Sequence, residues 1–478
     1  MGYTPDPQIL ATPFGELAPV IQDGLVQQTI KTSLQGNLLY GVEFQEMSPW
    51  LVNLGQTTTI PRRAPIEEVD EPSNPKQDPD YAPQKYEETE ASVSTYKNGI
   101  KLDMLENAAI IEGYFVSQMN ELGKNAANSL NSIRRKALYS GYLGGHAVAL
   151  ADGAASTSLR VSQVCGFRKQ INSDGKWLNV SSDNPKPISL GDSTYGLVIG
   201  VAADSAIFPD GRGTLTLAAA KSWSINDAIV AMDAPYRIYQ GGGSTVDAIS
   251  STDILTFESV RLVLAQHSEN GVPPHADGTY WVHMAPRTKN QLWSDPEFQN
   301  AIRGGVETMS FQNYTLYKAM GCTFIENNKA PSRSNTGALQ DSRLSTTNAK
   351  LAKGIYSEVT NRNAQNIGYT MITGGGLGKT WYMPQGKLKS AAGLNAQEFY
   401  GMQVSADNMQ ITVDNMVRFL IAAPRDDMRQ QVPANWQFIG SFMLWNDLFG
   451  GTYSPNDDAE TTRNPYYKRA GIIAHAAG

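Results

Sequence analysis

Charge is scarce in this sequence, and cysteine scarcer still. Of 478 residues, 18% are charged and 41% hydrophobic, where an average globular chain has about 25% charged residues. The two cysteines, Cys165 and Cys322, stand far apart in the chain. That excludes a disulfide framework and predicts two reduced thiols in a protein made in a cytoplasm. No apolar run approaches the roughly 20 residues that cross a bilayer. Pro5, Pro7 and Pro13 occupy the place where a signal peptide would have its apolar stretch. The expectation is a soluble chain, not exported by the usual route and without a membrane partner. A net charge of −7 and a pI near 5.4 exclude nucleic-acid binding through a basic surface. Residues 1–45 carry four acids against one lysine, Lys31, so this arm cannot grip RNA by neutralising phosphates.

Motifs of catalysis are nearly missing as well. Thr373-Gly374-Gly375-Gly376-Leu377-Gly378-Lys379-Thr380 approaches a phosphate-binding loop. Its first position is Thr rather than Gly, and Pro384 and Gly386 interrupt any helix that should follow. A Gly-rich turn at a subunit contact is the better reading. His267, His275 and His283 recur every eight residues, without the close spacing of a metal site, and read as scattered surface or contact histidines. Asp457, Asp458 and Glu460 lack the central glycine of a calcium loop. No Gly-x-Ser-x-Gly elbow occurs, and no cysteine pairs with a histidine for nucleophilic work. The reading is a non-enzyme with no cofactor and no metal.

What is present is a ribbon that runs into a long helix. Gly55 to Arg63 rises in short alternation of Thr and Ile, and Ala91 to Tyr96 returns through Ser, Val and Thr. Both suit an exposed two-stranded ribbon, which is marginal alone in water and needs something to lie on. Fully extended, such an arm reaches on the order of 60 Å at about 3.3 Å per residue. Between Glu67 and Glu90 lie nine acids and two lysines, punctuated by Pro72, Pro75, Pro79 and Pro83. That tip is solvated and resists stacking on copies of itself. Arg62 and Arg63, expected to pair with acids of a neighbouring copy, and Glu67, Glu68, Asp70, Glu71, Asp78 and Asp80, expected to meet a basic patch there, are the candidate intersubunit contacts. After it, Phe115, Met119, Leu122, Ala126, Leu130, Ile133 and Ala137 fall on one helical stripe. Asn120, Lys124, Asn128 and Asn131 are expected on the opposite side. Asp103 and Glu106 predict the cap of a shorter helix before it, Gly113 the break and Gly141 the stop.

The remaining chain is mixed. Leu25 to Leu34 predicts a short helix. Short strand-like runs, Val161 to Val164, Trp177 to Val180, Tyr195 to Val201 and Thr214 to Leu217, are separated by turns such as Asp174-Gly175 and Asp210-Gly211. Their spacing predicts a small β-barrel or sandwich with Gly241-Gly242-Gly243 as exit linker. Ile254 to His267 predicts a helix capped by Thr252 or Asp253. Tyr280 to Met284, Thr323 to Ile325, Met416 to Ala422, Gln437 to Leu444 and Gly471 to Ala474 read as strands, and Asp295-Pro296 opens another helix. The expected fold class is α+β.

The order of these parts resembles the major capsid protein of tailed bacteriophages, the family sharing the Hong Kong ninety-seven fold. Gly55-Gln56-Thr57-Thr58-Thr59-Ile60-Pro61-Arg62 is similar to the family's rising loop strand, residues 91–101 to its return, and 103–141 to its spine helix. Gly278 to Pro286, followed by Leu292, Asp295 and Phe298, resembles the axial-domain strand and helix, and Gly321 to Asn328 the strand after it. The resemblance implies an N-terminal arm at 1–45, an extended β-hairpin loop at 46–102, and spine helix with peripheral domain at 103–155. It places a small all-β insertion domain at 156–247, an axial domain at 248–415, and peripheral and C-terminal strands at 416–478. Lys76, Lys85, Lys97 and Lys101 lie on the loop in this reading, where a few relatives cross-link; no partner asparagine or catalytic glutamate is carried over.

The implied function is a structural shell subunit that assembles with itself through pentamers and hexamers into an icosahedral head. That head encloses double-stranded DNA without sequence-specific binding. The implied partners are a separate scaffolding protein, since residues 1–45 are too short to serve as one, a portal, and decoration or cement proteins. The implied location is the virion, after synthesis in the bacterial host cytoplasm. Two other classes remain open at this point: a tail, fibre or adhesin protein, and a nucleotide-binding enzyme built on the Gly-rich turn at 374–380.

Overall fold

The computed structural model describes residues 19–50, 57–63, 86–103, 114–172, 176–191, 194–204, 212–304, 318–319, 321–327, 330, 332–334, 366–383, 409–414, 416–421, 431–445 and 469–476. The chain is α+β and divides into two compact units. Met1–Thr58, Ala91–Arg134 and Lys379–Met443 form one; Thr59–Glu90, Arg135–Gly378 and Leu444–Gly478 form the other.

The first unit is built on a sheet drawn from distant parts of the chain. Its strands are β1 (Glu46–Pro49), β4 (Ser94–Asp103), β19 (Gly378–Tyr382), β20 (Met409–Val413), β21 (Val417–Ile421) and β22 (Gln431–Leu444). The order is β1-β19-β22-β21-β20, and β4 pairs antiparallel with β22 from Asp103↔Gln431 to Ser94↔Gly440. Trp436, Phe438, Phe419 and Ile421 are buried from the central strands. Alternation along β22 puts its even-numbered residues inside.

Two helices belong to this unit wholly or in part. The first, α1, covers Pro19–Gln35 and buries Val26, Ile30 and Leu34 at helical spacing. It is longer at its start than the Leu25–Leu34 expectation. The second, α2, covers Tyr114–Tyr142, about 43 Å at 1.5 Å per residue. Met119, Leu122, Ala126 and Leu130 are buried as the stripe predicted. Gly123 is where α1 comes close: a Cβ there would stand 2.1 Å from Ser33 Oγ, so a side chain would push the helices apart. Two expectations fail on this helix, the placement of Asn131 and the far end of the apolar stripe. Asn131 and Arg134 are buried, while Ile133 and Ala137 are only half-buried. The helix also has no basic residue in its last turn. The buried face is wider than one stripe because the arm packs on its second edge. Asp103 is the last residue of β4, and the predicted shorter helix and break fall outside the described residues.

The second unit contains a closed barrel. Strands β5 (His146–Val148), β6 (Gly153–Val161), β9 (Lys186–Leu190), β10 (Thr194–Ala203), β11 (Gly213–Trp223) and β12 (Ala228–Ala231) run in the order β5-β12-β9-β10-β11-β6. The two ends of that order meet. Ala149 bridges Val161, Leu150 N donates to Arg160 O and Ser162 N to Val148 O, both at 2.9 Å. Closure leaves no open edge. The interior holds Leu159, Val161, Ile188, Leu190, Val198, Leu215, Leu217 and Ile229. The barrel thus begins at His146, ahead of the predicted Val161–Val164 strand, whose last three residues lie beyond β6. A small hairpin, β7 (Lys169–Ile171) with β8 (Trp177–Asn179), is attached beside it. Asp174-Gly175 and Asp210-Gly211 fall outside the described residues, between antiparallel partners.

A seven-stranded mixed sheet forms the remainder. Its order is β13 (Arg237–Tyr239), β23 (Ala470–Ala476), β18 (Asn366–Thr373), β14 (Tyr280–Met284), β16 (Cys322–Glu326) and β15 (Lys318–Ala319), with β17 (Ser332–Ser334) on β18. Gly241–Gly243 follows β13 of this sheet and is therefore not the barrel's exit. Helices α3 (Phe257–Glu269), α4 (Pro286–Ser294) and α5 (Pro296–Gly304) cover one face, burying Val260, Val263, Leu292 and Phe298 with Val282, Phe324, Ile372 and Ile473. The N-terminus of α3 is not closed by Thr252 or Asp253. Its N-cap is Thr256, and Phe257 N donates to Asp295 Oδ2 at 2.6 Å instead. Pro286 and Pro296 each sit at a helix start, where the missing N–H costs nothing.

Candidate intersubunit surface

The ribbon is present as β2 (Thr57–Arg63) paired with β3 (Tyr86–Ser92). Each arm is seven residues, about 23 Å at 3.3 Å per residue. Arg62 and Arg63 end β2; Glu67, Glu68, Asp70, Glu71, Asp78 and Asp80 lie outside the described residues. The returning arm leaves the ribbon at Val93. Ser94 to Tyr96 belongs to β4 and is bonded to β22, not to the rising arm. Lys97 and Lys101 are therefore exposed on a sheet strand rather than on the projection, while Lys76 and Lys85 are outside the described residues. Sequence alone could not find this, because β22 lies more than 300 residues further on.

Within the first unit, polar contacts fasten β4, α2 and the arm. Asn125 Oδ1 accepts from Trp436 Nε1 at 3.0 Å and from Asn98 Nδ2 at 3.1 Å, joining β22, α2 and β4. Asn131 Oδ1 accepts Leu39 N, and its Nδ2 donates to Asn37 O. Arg134 is buried with its guanidinium 4.9 Å above the Phe442 ring. Burial lowers its pKa to about 10, against the opposing pull of Glu43 and Asp414. Gln35 Nε2 holds the same Asp414 at 3.0 Å. Asp414 sits in the left-handed region at φ 53, in the tight turn between β20 and β21.

The Gly-rich segment is a turn between two strands. Ile367 to Ile372 lies in β18, and β19 begins at Gly378. A phosphate cradle needs amides that open a helix; these lead into a strand. Lys379 Nζ meets Glu46 Oε1 at 2.6 Å and lies 4.8 Å from the Trp381 ring centroid. Arg469 Nη1 donates to Gly375 O at 2.9 Å, closing the turn from β23's side.

The histidines are not at the surface. His267, His275 and His283 are all buried, a correction to the expected scattered placement. His267 stacks 5.4 Å from Tyr280, and Trp281 stands between His275 at 5.8 Å and His283 at 6.4 Å. His275 Nε2 is 3.0 Å from Thr373 Oγ1. They are interior because both the end of α3 and strand β14 pack inward there. Cys165 and Cys322 are buried and outside any disulfide, and burial pushes the Cys322 thiol up to about 12. Asp457, Asp458 and Glu460 lie outside the described residues. Among the described residues no three His, Cys, Asp or Glu gather as metal ligands.

No family model matches the sequence, and no curated protein matches it. Solved structures do. The chain is similar to the capsid of Ralstonia phage GP4 at 10% identity, covering 92% of this chain and 91% of that one with a TM-score of 0.46. It is similar to the capsid of Cyanophage P-SCSP1u at 8% identity, covering 92% and 88%, TM-score 0.44. It is similar to the capsid of Helicobacter pylori bacteriophage KHP30 at 9%, covering 92% and 90%, TM-score 0.44.

Proposed function

We propose that this chain is the major capsid protein of a tailed bacteriophage, a structural subunit with no catalytic role. It assembles through hexamers and pentamers into the icosahedral head around packaged double-stranded DNA. The observation that carries the reading is the joint arrangement of ribbon, helix and sheet. A two-stranded ribbon of seven-residue arms precedes a 29-residue helix, and β4, between them, completes a sheet whose other strands come largely from the last hundred residues. An isolated ribbon gains stability only by lying on another surface, and copies arranged head to tail offer one and close into rings. In the assembled head the ribbon base, Arg62 and Arg63, pairs with acids of a neighbouring copy, and the acidic tip from Glu67 to Asp80 meets a basic patch. A separate scaffolding protein guides assembly, and a portal and decoration proteins complete the particle. The chain is made in the host cytoplasm and ends in the virion.

Electron micrographs of the full chain, overexpressed with its neighbouring genes, test this. Closed shells are the expected result. A compact monomer whose ribbon folds back over its own body and seals a ligand cavity would overturn it, and rod-like trimers would favour a tail or fibre role.

A further inference from the structure

Strand β4 turns two unlike faces outward from its backbone. On one, Asn98 Nδ2 and Trp436 Nε1 both donate to Asn125 Oδ1 of α2, and the Tyr96 ring stacks 6.1 Å from Phe438. Even-numbered residues of β4 therefore face the helix. Alternation sends Thr95, Lys97, Gly99 and Lys101 to the other side of the sheet. All four are exposed.

That outer side has a built centre. Lys97 stands opposite Gln437, Gly99 opposite Asn435 and Lys101 opposite Pro433. The exposed Asn435 side chain lies across Gly99, where a Cβ would collide with its Oδ1. The glycine thus lets an amide lie flat between two lysines. Neither lysine has an ion-pair partner among the described residues. Four residues of strand put their Cα atoms about 13 Å apart. Two ammonium groups, donors only, flanking an amide suit an extended segment that carries carboxylates four residues apart.

The chain itself holds one such segment. Between Glu67 and Glu90 nine acids stand against two lysines, a surplus equal to the net charge of −7 of the entire chain. The rest of the protein is neutral, so this stretch is where acceptors for a basic surface are concentrated. Glu67 and Glu71 are four residues apart. Seven residues of paired strand, about 23 Å, separate the stretch from the start of its own β4. Duplex DNA fits the lysines less well: it presents one charge per roughly 1.7 Å of axis, which two isolated cations do not match.

We propose that the outer face of β4, centred on Lys97, Asn435 and Lys101, is the docking surface for the acidic ribbon tip of a second copy of this chain, with Glu67 and Glu71 on the two lysines. This rests on the shell reading above and names the basic patch that reading requires. Exposed ion pairs are individually weak. They set register and exclude wrong partners, because like charges brought together at a contact cost far more than a matched pair contributes. Repeated at every copy in a ring, the two lysines select one seat for the tip.

Zero-length carbodiimide coupling, which joins a carboxylate to an amine it touches, tests this on the full chain. Unlabelled chain and chain enriched in heavy nitrogen are mixed, assembled with the products of the neighbouring genes, and coupled. Cross-links of mixed isotope from Lys97 or Lys101 to acids within 67–80 are the expected result. Lys97→Glu with Lys101→Glu should lower the yield of closed shells roughly tenfold and leave the unfolding midpoint of the unassembled chain unchanged. Adding Glu67→Lys and Glu71→Lys should restore the yield. Coupling confined to one copy would overturn the proposal, as would undiminished shell yield or a charge swap that restores nothing. Normal shells with less DNA would assign the lysines to the packaged genome and overturn it too. Failure of the unaltered chain to form shells removes the shell reading instead; mixed-isotope coupling in whatever oligomer it forms still decides the docking, and its absence there overturns it.

Discussion

Asn131 gives both ends of its amide to the N-terminal arm, its Oδ1 accepting Leu39 N at 2.9 Å while its Nδ2 donates to Asn37 O at 2.7 Å. No other side chain type of this size reproduces both bonds, since one end must accept and the other donate. Asn131→Ala should destabilise the first unit by about 1–3 kcal/mol, the range for leaving buried partners unsatisfied. Asn131→Asp keeps the acceptor but sets a buried carboxylate oxygen against Asn37 O, so it should cost at least as much as the alanine change. Urea unfolding gives the order, and proteolysis near residues 36–41 should quicken in the same sequence. Equal stability of the three forms would show that the arm is held elsewhere.

The barrel contains a second polar commitment of a different kind. Lys186 Nζ meets Asp233 Oδ2 at 2.7 Å and Lys169 O at 2.9 Å, with the lysine side chain 2% exposed and the aspartate 10%. Lys186→Met strands the buried carboxylate and should cost about 3–5 kcal/mol. The pair of changes Lys186→Met and Asp233→Leu should cost clearly less than the sum of the single ones, because neither charge is then left alone. Denaturant titration of the four forms measures the coupling. The Lys169 carbonyl belongs to the β7–β8 hairpin, so exchange protection of that hairpin should fall in both lysine variants.

These two residues also mark the limit of what was legible in the amino-acid order. Helix α2 was readable because Met119, Leu122, Ala126 and Leu130 repeat at 3.6 residues, and β14, β21 and β23 because short apolar runs are bounded by turns. The barrel was readable as a spacing of strands, though its closure at Ala149 and Val161 was not. What failed was long-range. The pairing of β4 with β22 depends on a partner hundreds of residues away, so Ser94 to Tyr96 looked like the returning arm of a ribbon. Asn131, Arg134 and Lys186 carry polar side chains whose type predicts exposure, and only their partners make burial tolerable. The histidines were misplaced for the same reason. Of the candidate contact residues, Arg62 and Arg63 fall on the ribbon as the alternation suggested.

Buried histidines give the fold a pH dependence of stated sign. His267 has no hydrogen-bond partner for either ring nitrogen among the described residues, and burial, then His275, lowers its pKa to about 4. His475 Nε2 is 3.0 Å from Thr370 Oγ1, and burial lowers it to about 4, against its Ala476 carbonyl bond. Folded values below the unfolded 6.5 mean that the unfolded chain takes up protons first. The stability each provides is complete above about pH 6.5 and is lost as pH falls to about 4, on the order of 3 kcal/mol per residue. Thermal unfolding of the second unit should therefore shift down between about pH 7 and about pH 4.5. His267→Phe, which keeps the ring against Tyr280, should blunt that shift; a full shift in this variant would remove His267 from the account.

Reversing the charges at the base of the ribbon separates an intermolecular role from an internal one. Arg62 and Arg63 close β2 just before the acidic stretch. If they pair with acids on a neighbouring copy, Arg62→Glu with Arg63→Glu places like charges at every such contact in a shell, while a free subunit feels at most a surface change of about 1 kcal/mol. The expected outcome is a normal unfolding midpoint for the unassembled chain and a large fall in the yield of closed shells. Raising salt from about 0.05 M to 0.5 M should partly restore assembly, because exposed charges further apart than a few ångströms are then screened. Unchanged shell yield and stability would remove these arginines from the contact. A lowered midpoint in the unassembled chain would instead place their partners within the same copy.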